Sequence, residues 1–236
     1  MFEVLIRRRG PSYIIVIFLL AQLSGCSGLW HADFGLRKSR YIEKPKIGTL
    51  ESALSQTSNR TIVILSGDKN QYSTEGTGYH LGIAYETDFL IQHIRHYSLA
   101  YDKLKYSYSI DGSSPVESDL DLKVSGWDYI VGMKLWYFNP RISIKKETAE
   151  IQSVTGSYVD DNIFFGYGLG LYYDVATRWT LYAAYDKRFR VSTDPLFSVS
   201  EIDTTLGVMF HLFGGGGGAG GGTSRFGNPY TGTPSR

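Results

Sequence analysis

His96-Tyr97-Ser98 sets an imidazole and a hydroxyl two residues apart, a spacing that brings both to one face of an extended strand. A base beside a hydroxyl is the core of a serine hydrolase, but the base needs a carboxylate to orient it. No Glu stands at a matching spacing. Asp160-Asp161 and the pair Asp119 and Asp121 offer carboxylates to a divalent cation, although solvated acids at loop edges are the commoner outcome. A third group is scattered: His80, Glu86, Asp102, Asp128, Lys134, Asp174, Asp186 and His211 each interrupt apolar or Gly-rich sequence. Such charges can line a pore or pair with one another as a plug. No CxxC, HExxH or Cys/His cluster occurs, so neither a metal nor a redox cofactor is expected.

The chain that carries these residues has 236 residues with 24 Lys and Arg against 23 Asp and Glu. That balance lacks the basic excess of a nucleic-acid binder. Its 18 Tyr, 4 Trp and 27 Gly beside only 7 Pro favour sheet over helix.

The N-terminal segment reads as an address. Arg7, Arg8 and Arg9 precede the apolar run Tyr13 to Leu20, which is too short for a helical membrane span and fits a signal sequence. Leu23-Ser24-Gly25-Cys26 follows, with the only cysteine of the chain. It resembles the bacterial lipobox, which implies cleavage after residue 25 and acylation of the Cys26 thiol. Ser27 stands where many inner-membrane lipoproteins carry Asp, so the resemblance implies the outer membrane. Residues 26–59, basic from Leu36 to Lys46 and then rich in Ser and Thr, read as a periplasmic tether.

From residue 60 to 213 the period is two. Tyr79, Leu81, Ile83 and Tyr85 alternate with His80, Gly82, Ala84 and Glu86. Trp127, Tyr129, Val131, Met133 and Leu135 alternate with Asp128, Gly132 and Lys134. Ile163 to Tyr173 places large apolar residues opposite Gly166, Gly168 and Gly170, and Ile202 to Leu212 opposes Asp203, Thr205, Gly207 and His211. Alternation assigns each segment one apolar and one small or charged face. With aromatic residues at the strand ends, this is the pattern of a transmembrane β-barrel. Six clear strands are expected, at 76–88, 94–109, 120–138, 162–175, 178–190 and 201–213. Two weaker ones are expected at Arg60–Ser66 and Arg141–Gln152, making eight. Short turns are expected at Asp88–His93, Phe138–Arg141 and Val175–Thr177. Longer loops are expected at Gly67–Glu75, Asp111–Asp119, Ser153–Asp161 and Val191–Ser200. Alternation is read as turning Tyr97, Leu99 and Tyr101 to lipid and His96 and Ser98 to the lumen.

Phe164 to Asp186, FFGYGLGLYYDVATRWTLYAAYD, resembles the penultimate hairpin of small OmpA- and OmpW-type outer-membrane barrels. Thr204 to Phe213 resembles their terminal assembly signal. The resemblance implies an all-β, eight-stranded antiparallel transmembrane barrel in contact with outer-membrane lipids, lipopolysaccharide and the barrel-assembly machinery. Residues 214–236, beginning with a Gly run, read as a disordered tail, a spacer with at most a periplasmic partner. His96-Tyr97-Ser98 also resembles the His-x-Ser of lipid A deacylases, but Leu99-Ala100-Tyr101 departs from that family's continuation. The expected function is a non-enzymatic structural or interaction role at the cell envelope. The alternatives are a narrow channel or small-molecule conduit, a soluble lipocalin-like lipoprotein and a deacylase-like hydrolase.

Overall fold

In the computed structural model the described residues are 28–41, 55, 61–66, 75–101, 104–153, 156–191 and 200–214. Cys26, Asp102 and the Gly-rich tail lie outside them. Ten strands are present: β1 Leu29–Tyr41, β2 Ile62–Ser66, β3 Glu75–Glu86, β4 Leu90–Tyr101, β5 Leu104–Ile110, β6 Val116–Met133, β7 Phe138–Ser153, β8 Gly156–Ala176, β9 Trp179–Arg190 and β10 Ser200–Gly214.

Eight of them close a barrel in the order β1-β3-β4-β6-β7-β8-β9-β10, every pair antiparallel, with β10 returning to β1. Directly paired residues lead from Pro140 through Leu169, Tyr185, Thr204, Lys38, Thr77, Ala100 and Lys123 to Glu150. One circuit of eight strands therefore climbs ten residues along β7. A shear of ten tilts the strands by roughly 40° and leaves a lumen that side chains alone can fill.

The count of eight agrees with the sequence, but its membership does not. Leu29–Tyr41, expected as tether, is the first barrel strand and pairs along its length with β10 and β3. The barrel therefore begins at Leu29 and not at residue 60. The segment expected as the first strand, Arg60–Ser66, supplies β2, which pairs only with β5 outside the barrel. The expected strand 94–109 divides into β4 and β5, because β5 leaves the wall to pair with the first residues of β6.

The turns shift as well. One lies at 87–89, where the Thr87 amide donates to the Leu90 carbonyl at 2.8 Å. Another lies at Leu135–Phe138, around Trp136 with φ of 57°, so Phe138–Arg141 is strand. The third is at Thr177 and Arg178. At the opposite end Ser153–Asp161 is almost all strand, with β7 and β8 paired as far as Ser153 and Gly156. Asp111–Asp119 narrows to a turn at Asp111 (φ 49°) and Gly112 (φ 77°), with Val116 onward in β6. The shifts at this opposite end have one cause. Strands that continue past the lipid have water on both faces, so their hydrophobic alternation fades while their backbone pairing persists.

Inside and outside are inverted relative to a soluble protein. Leu36 and Leu81 are 68% and 62% exposed on the outer surface, whereas Lys145, Glu201 and Asp186 are completely buried in the lumen. Lipid solvates the first set, and paired charges satisfy the second. Among the described residues no helix is long and apolar enough to cross a membrane; the strands provide the crossing. Glycine makes the lumen possible at Gly168, where a Cβ would strike the Asp186 carboxylate and the Tyr185 carbonyl.

Phe34 faces outward near the middle of β1. Replacing it with Arg is expected to cost about 2–4 kcal/mol, the depth-dependent cost of a lipid-facing cation. Urea unfolding of the refolded protein, followed by heat-modifiable gel migration, measures this. An unchanged midpoint would put Leu29–Tyr41 back in a tether.

Candidate functional site: the luminal charge network

The inward positions of the eight strands fill one column, with polar layers below and above an apolar one. At the lower end, nearest the two chain ends of the barrel, His31 Nε2 of β1 lies 2.8 Å from Glu86 Oε2 of β3, and Lys134 closes on the other Glu86 oxygen. The His31 ring meets His211 of β10 edge-on, with centroids 5.7 Å apart. Above this sits an apolar layer of Ala84, Ile91, Met209 and Ala184, with the Tyr172 and Tyr182 rings stacked at 5.2 Å.

Asp33 of β1 lies at the centre and is fully buried. Its Oδ1 accepts from the Tyr182 hydroxyl at 2.6 Å and lies 3.4 Å from His80 Nε2. Its Oδ2 contacts His93 Nδ1 at 2.8 Å and accepts from Arg95 Nε at 2.5 Å. His93 reaches on through Nε2 to the Tyr172 hydroxyl at 2.9 Å. Four strands thus meet on one carboxylate. Nearby, the Arg141 guanidinium clasps Asp186 through two nitrogens, with Nε 2.7 Å from Oδ1.

The upper layer is more densely charged. Arg37 bridges Asp128 at 2.5 Å and Asp203, with its guanidinium carbon 4.1 Å from the centre of the Tyr97 ring. Arg188 also contacts Asp203 and lies 3.4 Å from Asp128, while its Nε donates to Ser143 at 3.1 Å. Lys145 donates to both Glu201 oxygens at 2.6 and 2.7 Å and contacts Glu147. Each of these three cations contacts at least two carboxylates, as burial demands.

The structure brings together His80, Glu86, Asp128, Lys134, Asp186 and His211 in this column. Asp174 sits half-buried at its lower edge, accepting from the Thr180 hydroxyl at 2.5 Å. Asp102 and Cys26 lie outside the described residues. His96 and Ser98 are corrected: His96 is exposed on the outer surface, its ring edge-on to Trp127 at 5.1 Å, and Ser98 is half-buried on the same face. Tyr97, Leu99 and Tyr101 fill the lumen instead. Inside, the Tyr97 ring lies against Arg37 and Lys145 and its hydroxyl donates to Glu147 at 3.4 Å, an outcome that aromatic content alone does not predict. The residues paired with His96 are Leu81 and Trp127, so no carboxylate flanks it to complete a hydrolase triad.

Asp160 accepts from Arg190 at 3.2 Å, and Asp161 accepts from the Thr148 hydroxyl at 2.7 Å. Both carboxylates are engaged within the fold. Among the described residues no group of three His, Cys, Asp or Glu side chains is placed to hold a metal.

Sequence reasoning missed Asp33, Arg37, His93, Arg95, Arg141, Lys145, Glu147, Arg188, Glu201 and Tyr182. A signal was present in LWHADFGLRKSRY, where His31, Asp33, Gly35, Arg37 and Ser39 alternate with Ala32, Phe34 and Leu36. Its charges mask the strand unless the lumen is expected to be charged.

A closed antiparallel barrel with an apolar outer band and a charged interior defines the class at the level of fold: a small eight-stranded β-barrel with the architecture of those that span outer membranes. Among solved structures, Neisserial surface protein A is similar at a TM-score of 0.46 and 13% identity, over 78% of this chain and 97% of that one. Ail, the attachment invasion locus protein of Yersinia pestis, is similar at 0.43 and 15%, over 79% and 99%. The outer-membrane protein OprG of Pseudomonas aeruginosa is similar at 0.36 and 10%, over 80% and 94%. No protein-family model and no curated protein sequence matches the chain.

Asp33→Asn leaves Arg95 without its counter-charge inside the lumen. The expected loss is about 3–5 kcal/mol, the cost of breaking a buried pair from one side. Asp88→Asn, at an exposed turn, is expected to change stability by less than about 0.5 kcal/mol. Urea midpoints of the two refolded variants test the contrast, and equal midpoints would remove Asp33 as the hub.

Proposed function

We propose that this chain is a non-enzymatic outer-membrane lipoprotein with a plugged barrel, acting through the surface it displays and not through transport or catalysis. The single observation behind this reading is the luminal column, in which oppositely charged side chains from seven of the eight strands are packed against one another and β8 adds Tyr172. An eight-stranded barrel has room for its side chains and little else, and displacing such pairs for a passing solute is costly.

The displayed surface is lopsided. Among the described residues β6, β7 and β8 run on beyond the other strands: β7 and β8 pair up to Ser153 and Gly156, whereas the described pairing of β9 with β8 begins at Phe164. β5 and β2 add to the projecting end of β6. The result is a wall on one side of the mouth, suited to contact with another molecule. In the proposed orientation this wall is extracellular, and both ends of the barrel chain, Leu29 and Gly214, which pair with each other, are periplasmic. Cys26 then lies three residues from Leu29, so an acyl chain on it would enter the inner leaflet beside β1. Outer-membrane lipids, lipopolysaccharide and the barrel-assembly machinery are the proposed partners, with a periplasmic partner for the tail.

Purified protein in a planar bilayer is expected to give no discrete conductance, and regular channel openings would overturn the plugged reading. Cys26→Ser is expected to abolish labelling by radioactive palmitate while the heat-modifiable gel shift persists. Unlabelled wild-type protein would refute the lipoprotein assignment without touching the barrel.

A further inference from the structure

The outer surface carries charge on one rim in a way that the other rim does not. Because one circuit of eight strands climbs ten residues, each step between neighbouring strands along the pairing direction rises by ten-eighths of a residue. Applied to outward-facing positions, this places Lys38 of β1, Lys146 of β7 and Lys187 of β9 within about 4 Å of one level. Immediately below them the outward residues are apolar: Leu36, Ile144 and Tyr185. From this level to Trp136 and Trp179 on the opposite rim, the apolar band is about 22 Å tall, close to that of known outer-membrane barrels.

Each lysine stands at the lipid boundary. Lys146 is exposed and pairs across strands with Trp127 and Ile163. The Lys187 ammonium lies 5.3 Å from the centre of the Phe189 ring. Lys38 shares the Glu75 carboxylate, at 2.6 Å, with Arg40 at 4.0 Å, so two cations meet one acid. Ser125 and Thr148, paired with each other one step above Trp127 and Lys146, add hydroxyls to the same patch. The acids that face outward nearby are Asp161, bound by Thr148, Glu150, bound by Gln152 and paired with Lys123, and Asp121, paired with Gln152 further up. On the opposite rim the exposed charges of the described turns are one Asp88 and one Arg178.

We infer that Lys38, Lys146 and Lys187 form a belt that docks the phosphates of a phosphorylated outer-leaflet glycolipid of the lipid A type. The long side chains lie along apolar surface and raise their charges to headgroup level. A belt on one rim only matches a membrane whose outer leaflet is the more heavily phosphorylated. It also explains why lysines gather at the upper boundary of the band, while the described turns of the lower rim expose one Asp88 and one Arg178. The inference rests on the outer-membrane barrel reading above and names the lipid that the barrel would hold.

The test uses the refolded full chain in zwitterionic detergent, titrated with bis-phosphorylated lipid A, with bound phosphate counted per barrel after separation of free lipid. Each of Lys38→Gln, Lys146→Gln and Lys187→Gln is expected to raise the half-saturating lipid A concentration about fivefold, and the triple variant on the order of 100-fold. The triple Lys→Arg variant is expected to bind as the wild type does. For lipid A stripped of phosphate, with bound lipid counted by its acyl chains, wild type and triple Gln variant are expected to be equal. A heat-modifiable triple Gln variant that binds lipid A like the wild type would overturn the belt, as would wild-type binding indifferent to phosphate removal. If the triple variant does not fold, the single variants decide by the same fivefold criterion. A wild-type chain without the gel shift would instead refute the barrel reading itself.

Discussion

The seam between β1 and β10 is the constraint on which the rest depends. From Leu29 opposite Gly214 to Tyr41 opposite Glu201, it joins the first strand to the last and leaves no open edge within the band. In lipid an unpaired backbone group has no solvent partner, so closure is a condition of membrane residence and not a refinement. Closure with eight strands and a shear of ten also sets the width of the lumen. Everything inside must then fit and be neutral in sum over short distances.

The luminal column follows from that narrowness. Asp33 can engage Tyr182, His80, His93 and Arg95 together because β1 stands between β10 and β3, with β9 and β4 one strand further on either side. Arg37 and Arg188 share Asp128 and Asp203 for the same reason. Glycines on β8 leave room for these groups, as at Gly168 beside Asp186. The network ties strands distant in sequence, up to 166 positions apart for Arg37 and Asp203. It acts as the barrel's core, with ion pairs and stacked tyrosines in the place of an aliphatic interior.

The outer surface is governed by its solvent. Where lipid lies outside, β1, β3, β8 and β9 turn apolar residues outward and hold glycine, charged residues and tyrosine inside. Where water lies on both sides, the same strands carry polar residues on both faces, and the sheet continues as the projecting wall. A single strand such as β8, Gly156–Ala176, therefore contains two sequence regimes in one continuous ladder.

The sequence by itself determined the class: alternating apolar faces, Gly-spaced inward positions and aromatic strand ends specify strands that cross lipid, and Asp128, Asp186, Glu86 and His80 were legible as inward charges. Local alternation carries that information because the side-chain period of a strand is two, whatever its partners. Which strands close the circle was decided only in three dimensions. Leu29–Tyr41 looks like a basic tether until Arg37 is seen to balance Asp128 and Asp203 from other strands. In β4, where both faces mix polar and apolar residues, parity could not tell Tyr97 from His96. The partners across the lumen settle it: Tyr97 is held inside by Arg37, Lys145 and Glu147. A charge becomes a structural element only when its counter-charge is brought near, and that nearness comes from closure.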